Sequence, residues 1–528
     1  LKIFNSVSDL QAASLTAGQL TQTKRYYAGQ DGGGATYLIK TAVDFGGTPD
    51  EYGDHTLANG NVAVLQYDES TPVEKWGLFA NGTDMSAALA AVEAAKEVLI
   101  FSSDGTYVFD SPVETTRSHL VLMTTPKVKI RVNSADGWFN VNHSPFQLHG
   151  SGNEISHVSR ILFNGNDPAL LLKDFHLWDF YCTRDDVVSD KSPFYFPNSA
   201  TENLSVRNVS ANDAITPANR CVNSEFIQVE MGTTAGTKNI SLKDIDVFGY
   251  KGSFGIYGTE YCYGFSAENV YSQSATGQGF RNYHCYYSHL KNVRVNNNGE
   301  PAYAWLGFGV SADLRADDSQ TGGWTIEQAN CDVTVSGRGC DPWLANPTWG
   351  LSNCSITINS YDNGYACELN PQGNVAATSD MDNVTIYLNS ANDAYGALNI
   401  DNANTNHNWR QVDIHPNILG TGAGNAIRGR NIIDGTSIRL HGGVISGYAG
   451  IWDVRIAAGV GNLYIQADGT NLEYTGSSPL RNDCNAGLSQ LFNCKVKNTA
   501  NLTAWSALGT FNRFDNCFDK NTNTVLSG

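Results

Sequence analysis

Four segments open on Phe and run into side chains capable of acid–base work. They are Phe226-Ile227-Gln228-Val229-Glu230, Phe254-Gly255-Ile256-Tyr257-Gly258-Thr259-Glu260, Phe280-Arg281-Asn282-Tyr283-His284 and Phe308-Gly309-Val310-Ser311-Ala312-Asp313. Two carboxylates flanking a bond between sugars can break it, one protonating the leaving oxygen, the other activating water or attacking the anomeric carbon. Glu230 and Glu260 form the first such pair, with Asp313 as the competing partner. Arg281 and Arg315 suit a substrate carboxylate or acetamido oxygen. Tyr283, His284, Asp317 and Asp318 adjoin them. Any one of these acids, taken alone, also reads as a solvated surface carboxylate. Glu368 and Asp401, each beside apolar residues, mark a second candidate site that His407 and Trp409 would extend. Trp305 belongs to an aromatic-rich middle stretch whose amphipathic rings suit a wet groove, although core filling accounts for such rings equally well.

Side chains so far apart in sequence meet only if the chain folds back on itself at a regular interval. Such an interval exists. Short apolar-polar segments recur at Asn203-Leu204-Ser205-Val206, Asn239-Ile240-Ser241-Leu242, Phe265-Ser266-Ala267-Glu268-Asn269-Val270, His289-Leu290-Lys291-Asn292-Val293, Cys331-Asp332-Val333-Thr334-Val335, Cys354-Ser355-Ile356-Thr357-Ile358, Asn383-Val384-Thr385-Ile386, Gln411-Val412-Asp413-Ile414, Ser437-Ile438-Arg439-Leu440 and Asn462-Leu463-Tyr464-Ile465. Most of the repeats are twenty-odd residues apart, a period that defines a solenoid. Alternation puts one side chain into the coil and the next into solvent. Asn and Gly at the corners supply left-handed backbone positions. The rival architecture, a large β-sandwich, would show turns every ~8 to 12 residues.

Upstream, residues 1–72 read as a small β-rich cap. In it Gly32-Gly33-Gly34 makes a tight turn between two strands, and Val62-Ala63-Val64-Leu65-Gln66-Tyr67 is another strand. Residues 73–110 hold the clearest helix, capped by Thr83 or Asp84, with Ala88, Leu89, Val92 and Ala95 on one apolar face. Val98-Leu99-Ile100-Phe101 then reads as a buried strand and Asp104-Gly105-Thr106-Tyr107 as a turn. Residues 111–475 form the solenoid, and 476–528 read as a C-terminal cap. The chain opens at Leu1 with no basic and apolar leader, which reads as a trimmed or processed piece.

The Gly82-Thr83-Asp84 helix start, Ala87-Ala88-Leu89 and Asp104-Gly105-Thr106-Tyr107 together resemble the beginning of the pectate-lyase-like right-handed β-helix. Asn81, Met85 and Ser103 depart from the usual Asp, Asp or Asn, and Pro of that pattern. Arg25-Tyr26-Tyr27 with the glycine cluster resembles the neck region of phage tailspikes and capsule depolymerases. The resemblance implies an all-β, right-handed parallel β-helix with a small N-terminal cap and one short N-terminal helix. It further implies a homotrimer on the virion, in the extracellular space, whose partner is a bacterial surface polysaccharide. The activity it implies is hydrolysis of a capsular polysaccharide, exopolysaccharide or O-antigen without a cofactor.

Composition narrows the classes independently. A net charge of −18 argues against nucleic acid and anionic membrane surfaces, both of which require Lys and Arg clusters. No apolar run approaches the ~20 residues that span a bilayer. The 11 Cys are scattered without zinc spacing, so no metal site is expected and they read as small buried residues. Two rivals to the hydrolase stay open. A lyase would use Tyr283, His284 or Arg281 against a uronate. A spike that only grips glycan would release no product. An esterase would show a Gly-x-Ser-x-Gly elbow, and the sequence has none.

Overall fold

The computed structural model describes residues 1–30, 32–157, 162–164, 172–184, 192–196, 201–213, 225–230, 237–250, 252–257, 262–275, 280–282, 285–286, 289–297, 311–317, 324–326, 333–338, 351–361, 365–369, 381–391, 396–400, 409–420, 424–432, 436–456, 462–475, 480–483, 486–498, 512–520 and 524–526. They fall into two compact units, Leu1–Ile245 and Asp246–Gly528. The fold is all-β, a parallel β-solenoid of right-handed type with few helices.

The first unit begins with a five-stranded sheet in the order Lys2–Phe4, Leu20–Thr23, Thr36–Lys40, Val62–Leu65, Asp54–Thr56. Its first pair is parallel and the rest antiparallel. The glycine cluster joins Leu20–Thr23 to Thr36–Lys40, with Arg25 bridging Gly33. Gly33 has φ +68°, and a Cβ there would stand 2.8 Å from the Glu74 carbonyl oxygen, so the turn demands glycine. Two helices beyond the one expected lie in this region, Val7–Gln11 and Ala42–Phe45. Each is one turn long and is set by its cap, Ser6 or Thr41, so neither has an apolar period to read.

The expected helix runs from Ser86 to Ala95 and buries Ala88, Leu89 and Val92. Its start differs from the sequence reading, because Asn81–Asp84 is a strand and Met85 occupies the N-cap. Asp84 nevertheless fastens the helix: its carboxylate accepts from the Ser86 and Asp110 N–H groups, each at 3.0 Å. Glu93 and His119 are both buried and bond at 2.8 Å, joining the helix to the first coils. The expected turn at Asp104–Tyr107 is instead the start of a strand, Gly105–Phe109, whose Gly105 takes φ +120°.

The coils that follow stack in register. Leu99, Val121, Leu148, Leu177 and Val206 pair in succession and are all buried, forming one ladder inside the coils. Burying each such side chain contributes about 1.5–3 kcal/mol. The bends are made by residues at φ +50° to +62°, five apart in each coil: Asp174 and Asp179, Asn203 and Asn208, Asn239 and Asp244. Asn and Asp tolerate this left-handed backbone better than other non-glycine residues. Their side chains also bond from coil to coil, Asn203 to Asp174 at 2.9 Å and Asn239 to Asn203 at 3.0 Å.

The second unit repeats the rule. Val384, Val412, Ile438 and Ile465 pair in succession, at spacings of 28, 26 and 27 residues. Ile386, Ile414, Leu440, Ala467 and Leu491 form the neighbouring buried ladder. The parallel register continues past residue 476 to Asp519, where Thr524–Leu526 pairs antiparallel and covers the last strand. Cys182, Cys262, Cys494 and Cys517 are buried thiols.

Candidate functional site

In the first unit, five short strands stack into one sheet: Val113–Glu114, Phe139–Val141, Leu162–Asn164, Phe194–Phe196 and Ile227–Glu230. Alternation turns Val113, Phe139, Val141, Phe194, Phe196, Ile227 and Val229 inward, where they are buried. The intervening positions present Glu114, Asn140, Tyr195, Gln228 and Glu230 outward as a strip along the stack.

Each acid of this strip is held by donors. Glu230 accepts from the Tyr195 hydroxyl at 2.6 Å on one oxygen and from the Gln228 amide at 3.0 Å on the other. Gln228 is itself fixed by the Ser192 hydroxyl, 2.7 Å from its amide oxygen. Glu114 accepts from the Asn140 amide at 2.6 Å and the Asn142 amide at 2.7 Å. Asn142 is tied in turn through its own N–H to the Thr115 hydroxyl at 2.8 Å. Bonds to both oxygens fix the orientation of each carboxylate.

Of the other residues expected from sequence, Glu260, Tyr283, His284, Trp305, Asp318, Asp401 and His407 lie outside the described residues. Arg281 stands on the strand Phe280–Asn282, opposite Gly255. Glu368 stands on Tyr365–Leu369, between Thr325 and Asn399. Asp313, Arg315 and Asp317 occupy alternate positions of the strand Ser311–Asp317. The single strip expected from the leading Phe residues is therefore realised only in part. Phe254 and Phe280 do pair, with ring centroids 5.8 Å apart. Ser311–Asp317, however, joins the wide sheet beside His289–Asn297, away from the sheet that carries Arg281. A similar interval between Phe residues therefore does not fix which sheet a segment joins.

Sequence reading missed Glu114, Asn140 and Asn142. It also missed a ring ladder in the second unit. Tyr387 and His415 stack with centroids 4.7 Å apart, and His415 and His441 stack at 5.2 Å. His441 Nε2 bonds the Asp413 carboxylate at 2.8 Å. The signal was present: each ring follows by one position a member of the buried ladder, Ile386, Ile414 or Leu440. A third cluster lies on the wide sheet of the first unit. There His149 stacks on Trp178 at 4.5 Å, and the Trp178 indole N–H donates to Ser205 at 3.1 Å. Burial pushes the His149 and His176 imidazoles below their ordinary pKa, which favours uncharged rings.

No protein-family model matches the chain, and no curated protein matches its sequence. Phage tailspikes recur among the solved structures to which it is similar. One similar structure is Pantoea stewartii WceF, a glycan biofilm modifying enzyme with a bacteriophage tailspike-like parallel β-helix fold. It is 12% identical with TM-score 0.25, over 100% of this chain and 52% of that one. Another is the tailspike protein of Acinetobacter baumannii phage AM24, 12% identical with TM-score 0.33, over 84% and 64% of the two chains. A third is the catalytic unit of a GH87 α-1,3-glucanase from Streptomyces thermodiastaticus, 12% identical with TM-score 0.26, over 88% and 73%. The chain thus spans about half the length of the first of these and just under two thirds of the second.

Proposed function

We propose that the chain is a tailspike-type depolymerase that binds a bacterial capsular polysaccharide or exopolysaccharide and hydrolyses its glycosidic bonds. It would act as a homotrimer on a phage tail during host recognition, as the resemblance of its N-terminal motifs implies. The observation that carries the reading is the setting of Glu230, an outward carboxylate with both oxygens held by Tyr195 and Gln228. Glu230 takes the role of base or nucleophile. Glu260, three residues beyond the strand Phe254–Tyr257, takes the role of acid. Asp313 is the weaker partner because its strand belongs to the wide sheet. Arg281, Tyr283, His284, Arg315, Asp317, Trp305 and Glu368 remain proposed substrate contacts.

Product analysis tests this. The protein is mixed with polysaccharides from a strain panel, and the products are read by mass and ultraviolet absorbance. Saturated oligosaccharides, lost in Glu230→Gln and in Glu260→Gln, are the expected result. A second reading, β-elimination, draws support from His441, an imidazole oriented by Asp413. It would give unsaturated, ultraviolet-absorbing products that persist in Glu230→Gln and vanish in His441→Ala. Binding without any product would leave a glycan-gripping spike.

A further inference from the structure

We infer that the outward strip of the first unit binds an uncharged glycan chain, built from neutral or N-acetylated sugars, and rejects polyanionic ones. This rests on the reading of that strip as a glycan-binding surface, and it adds the charge class of the substrate.

The five strands of the strip contain Glu114 and Glu230 and not one Lys, Arg or His. The amide and hydroxyl donors resolved there each give a bond to one of these acids. Asn140 and Asn142 donate to Glu114, and Tyr195 and Gln228 donate to Glu230. What remains for a ligand is the free acceptor capacity of the two carboxylates, since each accepts up to about four bonds, beside the second N–H of each amide; none of these groups is a cation. Sugar hydroxyls and acetamido N–H groups are donors and can fill it. A uronate, sulfate or phosphate offers only acceptors and brings like charge.

Two described cations of the same unit stand on the wide sheet, each engaged by an acid. Lys129 bonds Glu154 at 2.8 Å and Lys173 bonds Glu202 at 3.0 Å, both on the wide sheet. The overall charge of −18 adds a longer-range repulsion of polyanions. Five strands span four inter-strand steps, about 19 Å, the length of a short oligosaccharide. Under this inference Arg281 and Arg315, where they touch substrate, hold acetamido oxygens.

The test uses the full chain and polysaccharides from host strains, separated by anion exchange into neutral and anionic fractions. Calorimetric binding and product release are measured for both. The wild type is expected to bind the neutral fraction with little dependence on salt, because uncharged partners are not screened. Glu114→Gln and Asn142→Ala, each checked for native melting, are expected to weaken that binding about tenfold, one charge-assisted hydrogen bond's worth. Binding of the anionic fraction, unchanged neutral binding in both variants, or no binding of either fraction would each overturn the inference. Release of products from anionic chains would sink the inference and leave the hydrolase intact. Neutral binding that depends on Glu114, without products, would sink the hydrolase and leave the inference.

Discussion

In the first unit the outward positions of the short sheet carry Glu114, Asn140, Tyr195, Gln228 and Glu230. In the second, the outward positions following Ile386, Ile414 and Leu440 carry Tyr387, His415 and His441. Beneath both rows the inward side chains are apolar and buried, Phe, Val and Ile under the strip and Ile and Leu under the ladder. The chemistry above differs. The strip holds its acids with amides and a phenol, which do not change charge near neutral pH. The ladder holds its acid, Asp413, with an imidazole. Coil stacking constrains inward residues strongly and outward ones hardly at all, so each face of a solenoid can acquire its own function.

The sharpest way to break this contrast is at Glu230. Replacement by Gln is expected to lower the cleavage rate about 10²- to 10⁴-fold, read by release of reducing ends, while His441→Ala stays near wild type. Loss in His441→Ala with Glu230→Gln near wild type would place the chemistry in the second unit.

Acid should separate the units next. His157 is buried, and burial, with the Arg184 and Arg131 charges, pushes its pKa down to about 3. Burial opposes ionisation of Glu93, yet the bonds from His119 and Thr116 hold its carboxyl below the ordinary value. Both folded values are depressed, so both groups stabilise above their unfolded values and lose that contribution as pH falls toward the folded ones. For His157 the loss begins near pH 6.5 and amounts to about 3 kcal/mol by pH 4. Peptide-resolved hydrogen exchange at pH 7 and pH 4, corrected for intrinsic rates, should show protection around His157 falling with acid. Unchanged protection there would refute the assignment.

Asn203→Ala removes bonds to Asp174 and Asn239 and forces alanine to φ +62°. A loss of about 2 kcal/mol in a denaturant melt is expected from strain plus a hydrogen bond. Asn203→Gly should lose less. Tyr195→Phe deletes one donor to Glu230 and should slow cleavage about tenfold with KM little changed. A KM effect alone would make Tyr195 a substrate contact. The smallest effect is expected at Asp413→Ala. Its partner His441 is 41% exposed, so stability should move by less than about 1 kcal/mol.

The parallel stacking was legible because the interior of each coil must be apolar at a fixed interval. Leu204, Ile386, Val412 and Ile438 announced that interval before any contact was known. Ala88, Leu89 and Val92 announced the helix for the same reason, as one apolar face. The single-turn helices after Ser6 and Thr41 were not legible, since a cap without a period looks like any polar turn.

Glu230 stood out as a candidate from its leading Phe, but Tyr195, which bonds it, and Ser192, which fixes its neighbour Gln228, stand 35 and 36 residues from their partners, where no local pattern points to them. Glu114 was missed although it alternates with buried Val113, because two residues are too short a strand to show a period. Asp313 looked like a member of the same strip and belongs to another sheet. By itself the sequence determined which side chains point inward and how often the coil repeats, because burial writes hydrophobicity into the chain. Only the tertiary structure decided which outward side chains meet, because the register of strand pairing joins residues about a coil apart that no local pattern links.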